Sequence, residues 1–309
     1  MQNQNSISPE ALRIQGVWAA AVTPRRETGH QIDIAATLDL LDFLADTGVD
    51  GLSILGSTGE FIHFDFEERI HLLKFSLKRT KKRVLPCVTH STIDGTVALA
   101  EAAMQYGAAA VLALPPYYFR YGAEEIRRFY LTLLDLLPAG TPVFLYNIPF
   151  FASALPIDLA CELLATGAFA GIKDSSGDQE YCRRLLEVKK TQPFTLIIGN
   201  DALYAAGRRA GADAVVSGVA GAFPEMMSAL EAAVRSGDET KITHWNGRLA
   251  EAIHWLDRFP VPMALRRAAH LRGFKTAAMA LPMNGAFDEF DRWFPAFLDR
   301  TREEAAMRS

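Results

Sequence analysis

Lys173 occupies the position in this sequence that points most directly to chemistry. It ends the apolar segment Phe169–Lys173, which is typical of a strand buried on both faces, whereas the other eight of the nine lysines lie in helix-like, loop-like or surface-like segments. Burial disfavours the charged form of an amine, and a neutral amine can form a Schiff base with a carbonyl compound. A lysine at a strand edge that pairs with Asp174 fits the same pattern, so both interpretations stay open at this point.

Two other apolar runs end in groups that could bind or protonate a substrate. Tyr146 ends the run 143–146, where its hydroxyl could move protons to and from a substrate; a core tyrosine bonded to the backbone is the alternative. The loop at 56–60, with the sequence GSTGE, follows the second run, and its N–H and hydroxyl groups could hold a carboxylate or a phosphate. Without a ligand, the same composition describes an ordinary tight turn.

Weaker signals follow the remaining apolar runs. Tyr118 belongs to a tyrosine pair after two prolines, which is more typical of an interface than of catalysis. Gly199 and Asp201 follow the seventh run, and with no basic residue beside them they favour recognition of hydroxyl groups over phosphate. We expect Asp174 and Asp178 to cap the helix that follows them.

Short apolar runs that predict buried strands recur along the chain. They lie at 14–23, 51–55, 83–89, 109–114, 142–148, 170–173, 194–198 and 212–217. Segments with helical periodicity separate them, for example 33–47, 124–137 and 158–165, and Gly48, Gly107, Gly167 and Gly211 stand where such helices would end. Eight strand–helix units predict an α/β fold, the (β/α)₈ TIM barrel. A doubly wound sheet is the competing fold, but no Gly-x-Gly-x-x-Gly follows the first run.

The strand pattern stops near residue 235. Segments 238–257, 260–273 and 286–307 then read as helices, separated by prolines and a glycine. We therefore expect two parts, a barrel over 14–235 and a C-terminal helical domain over 236–309. In the barrel fold, the active site lies at the carboxyl ends of the strands, which is where the candidate residues stand.

The composition is that of an ordinary globular chain. The 309 residues are 50% hydrophobic and 22% charged, and the net charge of −4 argues against nonspecific binding to nucleic acid. Three cysteines, none in a Cys-x-x-Cys pair, and seven histidines without His-x-x-x-His spacing argue against a disulfide framework or a metal site. The first residues lack the apolar core of a leader, and no run reaches the about 18 apolar residues of a membrane span. We expect a cytoplasmic protein without metal, membrane or nucleic-acid partners.

Taken together, the motifs resemble the dihydrodipicolinate synthase/N-acetylneuraminate lyase family. The resemblance runs from about residue 14 to residue 300 and rests on the order and spacing of GSTGE at 56–60, PPYY at 115–118, YNIP at 146–149, GIKDSSGD at 171–178 and GADAVVSG at 211–218. It implies a barrel with C-terminal helices, a homotetramer built as a dimer of dimers, and class I chemistry on pyruvate without a cofactor. A barrel that binds a small acid without catalysis is the alternative from another class.

The resemblance also implies roles for individual residues. Lys173 matches the lysine that forms a Schiff base with pyruvate or another 2-oxo acid, and Tyr146 matches the tyrosine that relays protons. Ser57 and Thr58, next to Gly56, match the pair that holds the carboxylate of the 2-oxo acid.

Two more residues outside that set match positions of the family. Tyr118 matches the tyrosine that reaches across a dimer interface and joins the relay of hydroxyl groups. Val216 matches the apolar residue that lies beside the bound pyruvyl group.

The chain departs from the family pattern at two places that bear on the aldehyde. Phe151, preceded by Phe150, stands where the biosynthetic synthases carry an arginine for the carboxylate of aspartate semialdehyde. After the seventh run, Asp201 is followed by Ala202, where neuraminate lyases have an Asp-Glu pair. We therefore expect cleavage of a 2-keto-3-deoxy sugar acid to pyruvate and an aldehyde. The alternatives are 4-hydroxy-tetrahydrodipicolinate synthase, a hydratase-aldolase with an apolar aldehyde, and a dehydratase.

Overall fold

Parallel strands organise the chain, which we describe from a computed structural model over residues 14–28, 30–280 and 286–308. Within these residues the strands are β1 (Gly16–Ala20), β2 (Gly51–Ile54), β3 (Arg83–Pro86), β4 (Val111–Ala113), β5 (Val143–Asn147), β6 (Gly171–Asp174), β7 (Thr195–Ile198) and β8 (Ala214–Ser217). Their order in the sheet is β3-β2-β1-β8-β7-β6-β5-β4. A parallel bridge between Cys87 and Leu112 joins the chain after β3 to β4, the two ends of that order. The fold is the predicted (β/α)₈ barrel.

Helices follow the strands in the chain, and the strands are rich in apolar residues because both of their faces are covered. Within the described residues they are α1 (Ile34–Ala45), α2 (Phe66–Arg79), α3 (Ile93–Gln105), α4 (Ala123–Leu136), α5 (Ile157–Ala165), α6 (Gln179–Lys189), α7 (Tyr204–Ala210), α8 (Gly218–Ala222), α9 (Pro224–Ser236), α10 (Glu239–Leu256), α11 (Met263–Leu271) and α12 (Asp288–Arg308). Strands covered on both faces need apolar side chains at successive positions, and all residues of β5, β6 and β8 are buried.

The sequence-based boundaries agree with these elements, with differences at the ends of the runs. Seven of the eight predicted runs each contain one strand, and β6 extends one residue beyond its run to Asp174. The run at 83–89 is longer than β3 because its last residues are buried loop. The three predicted C-terminal helices are α10, α11 and α12. Helix α9 was not singled out by the pattern.

The helix-ending glycines serve two different purposes. Gly107 and Gly211 have φ of +96° and +113°, the left-handed conformation that was expected of them. Gly48 is not left-handed; instead, a Cβ on it would lie 2.9 Å from Ser228 Oγ of α9. This glycine is therefore required for close packing rather than for chain reversal.

The chain divides into two compact units. One comprises Val84–Val216 with Ile14 and Gln15, and it contains β4 to β7 with helices α3 to α7. The other comprises Gly16–Arg83 and the residues from Ser217 onward, and it contains β1 and β2 with α1, α2 and α8 to α12. The boundary expected between residues 235 and 236 stays a prediction.

Among the described residues, no helix combines the length and the apolar character needed to cross a lipid bilayer.

Candidate active site

The register of β5 and β6 places Tyr146 beside Lys173. The two residues are direct partners in the parallel ladder, so their side chains point to the same face of the sheet. Lys173 Nζ donates a hydrogen bond to Tyr146 Oη at 3.1 Å and lies 4.2 Å from the centre of the tyrosine ring. Lys173 is only 6% exposed, and Tyr146 is also buried. A buried amine in contact with a phenol hydroxyl is an arrangement that can serve Schiff-base chemistry, with the amine as the attacking group and the hydroxyl as the proton carrier.

The neighbouring pair in the same ladder, Asn147 and Asp174, points to the opposite face. Asn147 Nδ2 donates to Asp174 Oδ1 at 2.7 Å, and Ser176 donates to the same carboxylate through its N–H at 3.2 Å and its hydroxyl at 2.8 Å. The carboxylate thus has these three donors on the face opposite Lys173. Burial raises the pKa of Asp174 above its usual range, and the hydrogen bonds from Asn147 and Ser176 oppose that rise.

The two aspartates of the DSSGD segment differ in role. Asp178 is the N-cap of α6, as expected, and accepts hydrogen bonds from the N–H groups of Glu180 at 2.8 Å and Tyr181 at 3.1 Å. Asp174 does not cap the helix. That expectation was wrong because β6 extends one residue beyond Lys173 and includes Asp174, whose side chain instead fixes Asn147 and the turn at Ser176.

Gly199, directly after β7, makes room for the lysine. A Cβ on Gly199 would lie 2.9 Å from Lys173 Cε and well inside van der Waals contact with Ser175 Oγ. Its N–H donates to the Asp174 carbonyl at 2.7 Å, which holds the two chain segments close. The sequence predicts Gly199 as a substrate-binding residue but does not show this steric role, because no local pattern shows which side chain a glycine faces.

The loop at 56–60 has strained residues at both ends. Leu55 and Glu60 have φ of +56° and +54°, which is unfavourable for side chains other than glycine. Glu60 N–H donates to the Ser57 carbonyl at 3.1 Å, and a Cβ on Gly59 would lie 2.8 Å from Leu55 N. The loop that carries Ser57 and Thr58 is therefore tightly wound, and nothing lies within 4 Å of a Cβ built on Gly56.

A buried ionic cluster holds Glu60. Its carboxylate lies 2.7 Å from Arg266 Nη1 and 3.5 Å from Arg25 Nη2. Neither arginine was found from the sequence, because Arg266 follows Glu60 by 206 residues and no spacing rule links them.

Exposed aromatic residues lie on the loops after β4 and β5. Tyr118 is 88% exposed with a φ of +76°, and its ring contacts Phe119 edge-on at 5.0 Å. Phe151 is 56% exposed in the turn that follows β5, next to the exposed Phe150. The hydroxyl of Ser153 donates to the Phe119 carbonyl at 3.3 Å and links the two loops.

The last two candidates lie on strand ends of the same unit. Val216 is buried within β8, and Asp201 begins a 3₁₀ helix at Asp201–Leu203, which follows β7 after Gly199 and Asn200. The side chain of Asn200 accepts a hydrogen bond from Ala202 N–H at 3.0 Å and fixes that turn. The roles expected for Val216 and Asp201 in binding stay predictions.

A family model, the dihydrodipicolinate synthetase family, matches residues 13–296 of the chain. The chain belongs to this family. Its members are pyruvate-dependent carbon–carbon lyases and aldolases, so the chain is a class I aldolase or lyase of the family. In the part of the chain that the structure describes, no three His, Cys, Asp or Glu side chains are grouped as a metal ion requires.

Individual relatives agree with the family and differ in their names. The chain is 29% identical to a 4-hydroxy-tetrahydrodipicolinate synthase of Methanosphaerula palustris over 90% of this chain and 94% of that protein. It is 30% identical to an uncharacterized DapA-like lyase of Chloroflexus aurantiacus over 82% of this chain and 85% of that protein.

Solved structures of the family share the fold over almost the whole chain. A putative dihydrodipicolinate synthetase from Pseudomonas aeruginosa has a TM-score of 0.86 and 25% identity, over 94% of this chain and 100% of that one. A 2-keto 3-deoxygluconate aldolase from Picrophilus torridus has a TM-score of 0.79 and 26% identity, over 85% of this chain and 94% of that one.

Replacing Gly199 with alanine tests the steric role of this residue. We expect Gly199→Ala to lower the free energy of unfolding by about 1–3 kcal/mol, because the new methyl group displaces Ser175 Oγ and Lys173 Cε. Urea denaturation measures the change. Gly56→Ala is the matched control, since its methyl group enters open space; equal losses in the two variants would contradict the role.

Replacing Asp174 with asparagine tests the effect of its burial on stability. Because the pKa of Asp174 is raised in the folded state, the folded protein binds a proton more tightly than the unfolded chain does. This residue therefore lowers the stability as the pH rises from about 3.9, the unfolded value, to the raised folded pKa. The stability of Asp174→Asn relative to wild type should increase across that window. A constant difference, measured by denaturation at each pH, would rule out the raised pKa.

Proposed function

We propose that the chain cleaves a 2-keto-3-deoxy sugar acid to pyruvate and an aldehyde through a Schiff base on Lys173. The observation that carries this proposal is the buried contact of 3.1 Å between Lys173 Nζ and Tyr146 Oη. Lys173 Nζ attacks the C2 carbonyl carbon of the sugar acid, and the oxygen leaves as water. The resulting iminium group accepts electrons from the bond that breaks.

Tyr146 moves the proton in the step that follows. The C3–C4 bond breaks, its electron pair goes into the iminium group to form an enamine, and the C4 hydroxyl loses its proton as the aldehyde forms. Tyr146 Oη relays that proton, and Tyr118 of the family motif continues the relay. Protonation at C3 and hydrolysis of the imine then release pyruvate and the free Lys173.

Binding of the 2-oxo acid falls to the remaining candidates. Ser57 and Thr58, with Gly56, hold its carboxylate by hydroxyl and N–H groups, which fixes the orientation of C2. The tight winding of this loop supports the role, because a prearranged set of donors needs no reordering when the substrate arrives. Val216 packs against the pyruvyl group.

The aldehyde half of the substrate is argued from Phe151. A phenylalanine supplies no charge for the carboxylate of aspartate semialdehyde, and its 56% exposure leaves its ring free to contact a substrate. Gly199 and Asp201 follow β7, where they would bind hydroxyl groups of a sugar acid. The similarity to the 2-keto 3-deoxygluconate aldolase of Picrophilus torridus supports the same substrate class.

A second candidate is 4-hydroxy-tetrahydrodipicolinate synthase. Several curated relatives carry this name, including that of Methanosphaerula palustris. One structural observation favours it as well: Arg120 Nη1 donates to the Ala152 carbonyl at 3.4 Å, so a guanidinium group reaches the loop that contains Phe151. An arginine from the loop after β4 would then bind the second carboxylate.

The exposed pair Phe150 and Phe151 also fits an aromatic aldehyde, as a hydratase-aldolase of the family would use. A dehydratase would use the same lysine.

For the assembly we propose a cytoplasmic homotetramer, a dimer of dimers. The 88% exposure of Tyr118 supports a tyrosine that a second copy of the chain covers.

Trapping with borohydride tests the Schiff base. Wild-type protein with pyruvate and borohydride should carry a reduced pyruvyl group on Lys173, identified by peptide mass spectrometry. Lys173→Ala should carry none. Tyr146→Phe should still be trapped, while its kcat falls by about 10²–10⁴-fold because the proton relay is broken. Saturable binding of pyruvate to folded wild-type protein without an adduct would favour a binding protein instead.

A comparison of aldehydes tests the substrate class. We expect turnover of 2-keto-3-deoxygluconate and little turnover of pyruvate with aspartate semialdehyde. Phe151→Arg should raise kcat/KM for the semialdehyde by about ten-fold, since a charged hydrogen bond is worth roughly 1.5–3 kcal/mol. Phe150→Arg, one residue away, is the matched control. Efficient use of the semialdehyde by wild type, lost in Arg120→Ala, would establish the second candidate.

A further inference from the structure

Glu60 combines burial of a charged side chain with a left-handed backbone conformation. It is buried, its backbone is left-handed, and it closes the loop that carries Ser57 and Thr58. Its carboxylate lies between Arg266 at 2.7 Å and Arg25 at 3.5 Å. The strain and the burial both cost free energy, so the surrounding contacts must enforce this arrangement.

Arg266 makes contacts with several parts of its unit. It is 0% exposed within α11, and its Nη1 donates to the Thr23 carbonyl at 2.7 Å as well as to Glu60. Its Nη2 donates to the Ala278 carbonyl, and the Thr276 hydroxyl donates to the Arg266 carbonyl at 2.7 Å. Arg266 therefore ties a C-terminal helix to the loop at 56–60 and to the segment after β1.

The segment after β1 completes the support of the loop. The hydroxyl of Thr23 donates to the Gly59 carbonyl at 2.8 Å, so the residue that accepts from Arg266 also holds the loop. The guanidinium group of Arg25 lies 4.0 Å from the centre of the Phe64 ring. The end of the loop at Gly59 and Glu60 is thus held from two sides.

The residue before Arg266 approaches the other part of the loop. A Cβ built on Gly218 would lie 3.0 Å from Leu265 Cδ1 and 3.7 Å from Thr58 Oγ1. Leu265 and Thr58 therefore border the same small space beside Gly218. Helix α11 thus places Arg266 in contact with Glu60 at one end of the loop, and places Leu265 beside the space that Thr58 borders.

We propose that Arg266 is a positioning residue that, through Glu60, holds the hydroxyl and N–H groups of Ser57 and Thr58 in place for the carboxylate of the 2-oxo acid. Affinity for that carboxylate then depends on a C-terminal helix. The inference rests on the proposed function, since it assigns Ser57 and Thr58 to the substrate carboxylate.

The test compares two ketones that differ by the carboxylate. Pyruvate and acetone can both form an imine with Lys173, but only pyruvate presents a carboxylate to the loop. For each ketone, the fraction of Lys173 reduced by borohydride is measured against concentration by peptide mass spectrometry. The ratio of the two half-saturating concentrations reports recognition of the carboxylate, and an unfolded fraction of the sample does not change it.

Arg266→Met should raise the half-saturating concentration of pyruvate by about ten-fold or more and leave that of acetone within about two-fold of wild type, since charged hydrogen bonds are worth roughly 1.5–3 kcal/mol. Arg266→Lys keeps the charge but loses the forked geometry, so an intermediate ratio is expected. Arg272→Met is the matched control. The side chain of Arg272 is 2% exposed and pairs with Glu225 at 2.8 Å, and neither residue belongs to the 56–60 loop.

The control should lose stability but keep the wild-type ratio of the two ketones. If Arg266→Met does not fold, Arg266→Lys is measured in its place. A wild-type ratio of the half-saturating concentrations of pyruvate and acetone in the Arg266 variant that folds overturns the inference. The proposed function is unaffected by that result. A ratio that changes equally in Arg272→Met also overturns it, because the effect is then one of general stability. Absence of any pyruvate adduct in wild type overturns the proposed function and this inference with it.

Discussion

The register between β5 and β6 is the constraint on which the candidate active site depends. It sets Tyr146 opposite Lys173 on one face and Asn147 opposite Asp174 on the other. A slip of one residue would exchange the two faces and separate the amine from the phenol. The hydrogen bond of 2.7 Å between Asn147 and Asp174 opposes such a slip, so this polar pair keeps Tyr146 and Lys173 aligned.

The site also shows where the fold accepts unfavourable local structure. Asp174 is buried although burial raises its pKa, and Leu55 and Glu60 adopt left-handed backbone conformations. Buried charges of this kind contribute little to stability compared with apolar packing, but removing one partner leaves the other uncompensated. The role that fits these residues is to hold neighbouring groups in position. Asp174 fixes Asn147 and the turn at Ser176, and we propose that Glu60 fixes the pair Ser57–Thr58.

Membership of the family and choice of substrate rest on different parts of the chain. Under the proposed function, the class of chemistry follows from Lys173 and Tyr146, which are buried in their strands. We propose that the aldehyde is chosen by loops, where Phe151 is exposed and where Arg120 contacts Ala152. Loops tolerate substitution because they carry little of the packing, so proteins of the same fold can differ in the substrate that they bind.

The sequence alone determined the strands, the C-terminal helices and the candidates Lys173 and Tyr146, because apolar runs and the residues that end them are local features. It did not determine that Asp174 accepts a hydrogen bond from Asn147 of β5 instead of capping α6, or that Gly199 makes room for Lys173. The contact of Glu60 with Arg266 was also decided by the tertiary structure. The physical reason is that these contacts join residues far apart in the chain, and their energies depend on the distances that the fold imposes, which no local periodicity records.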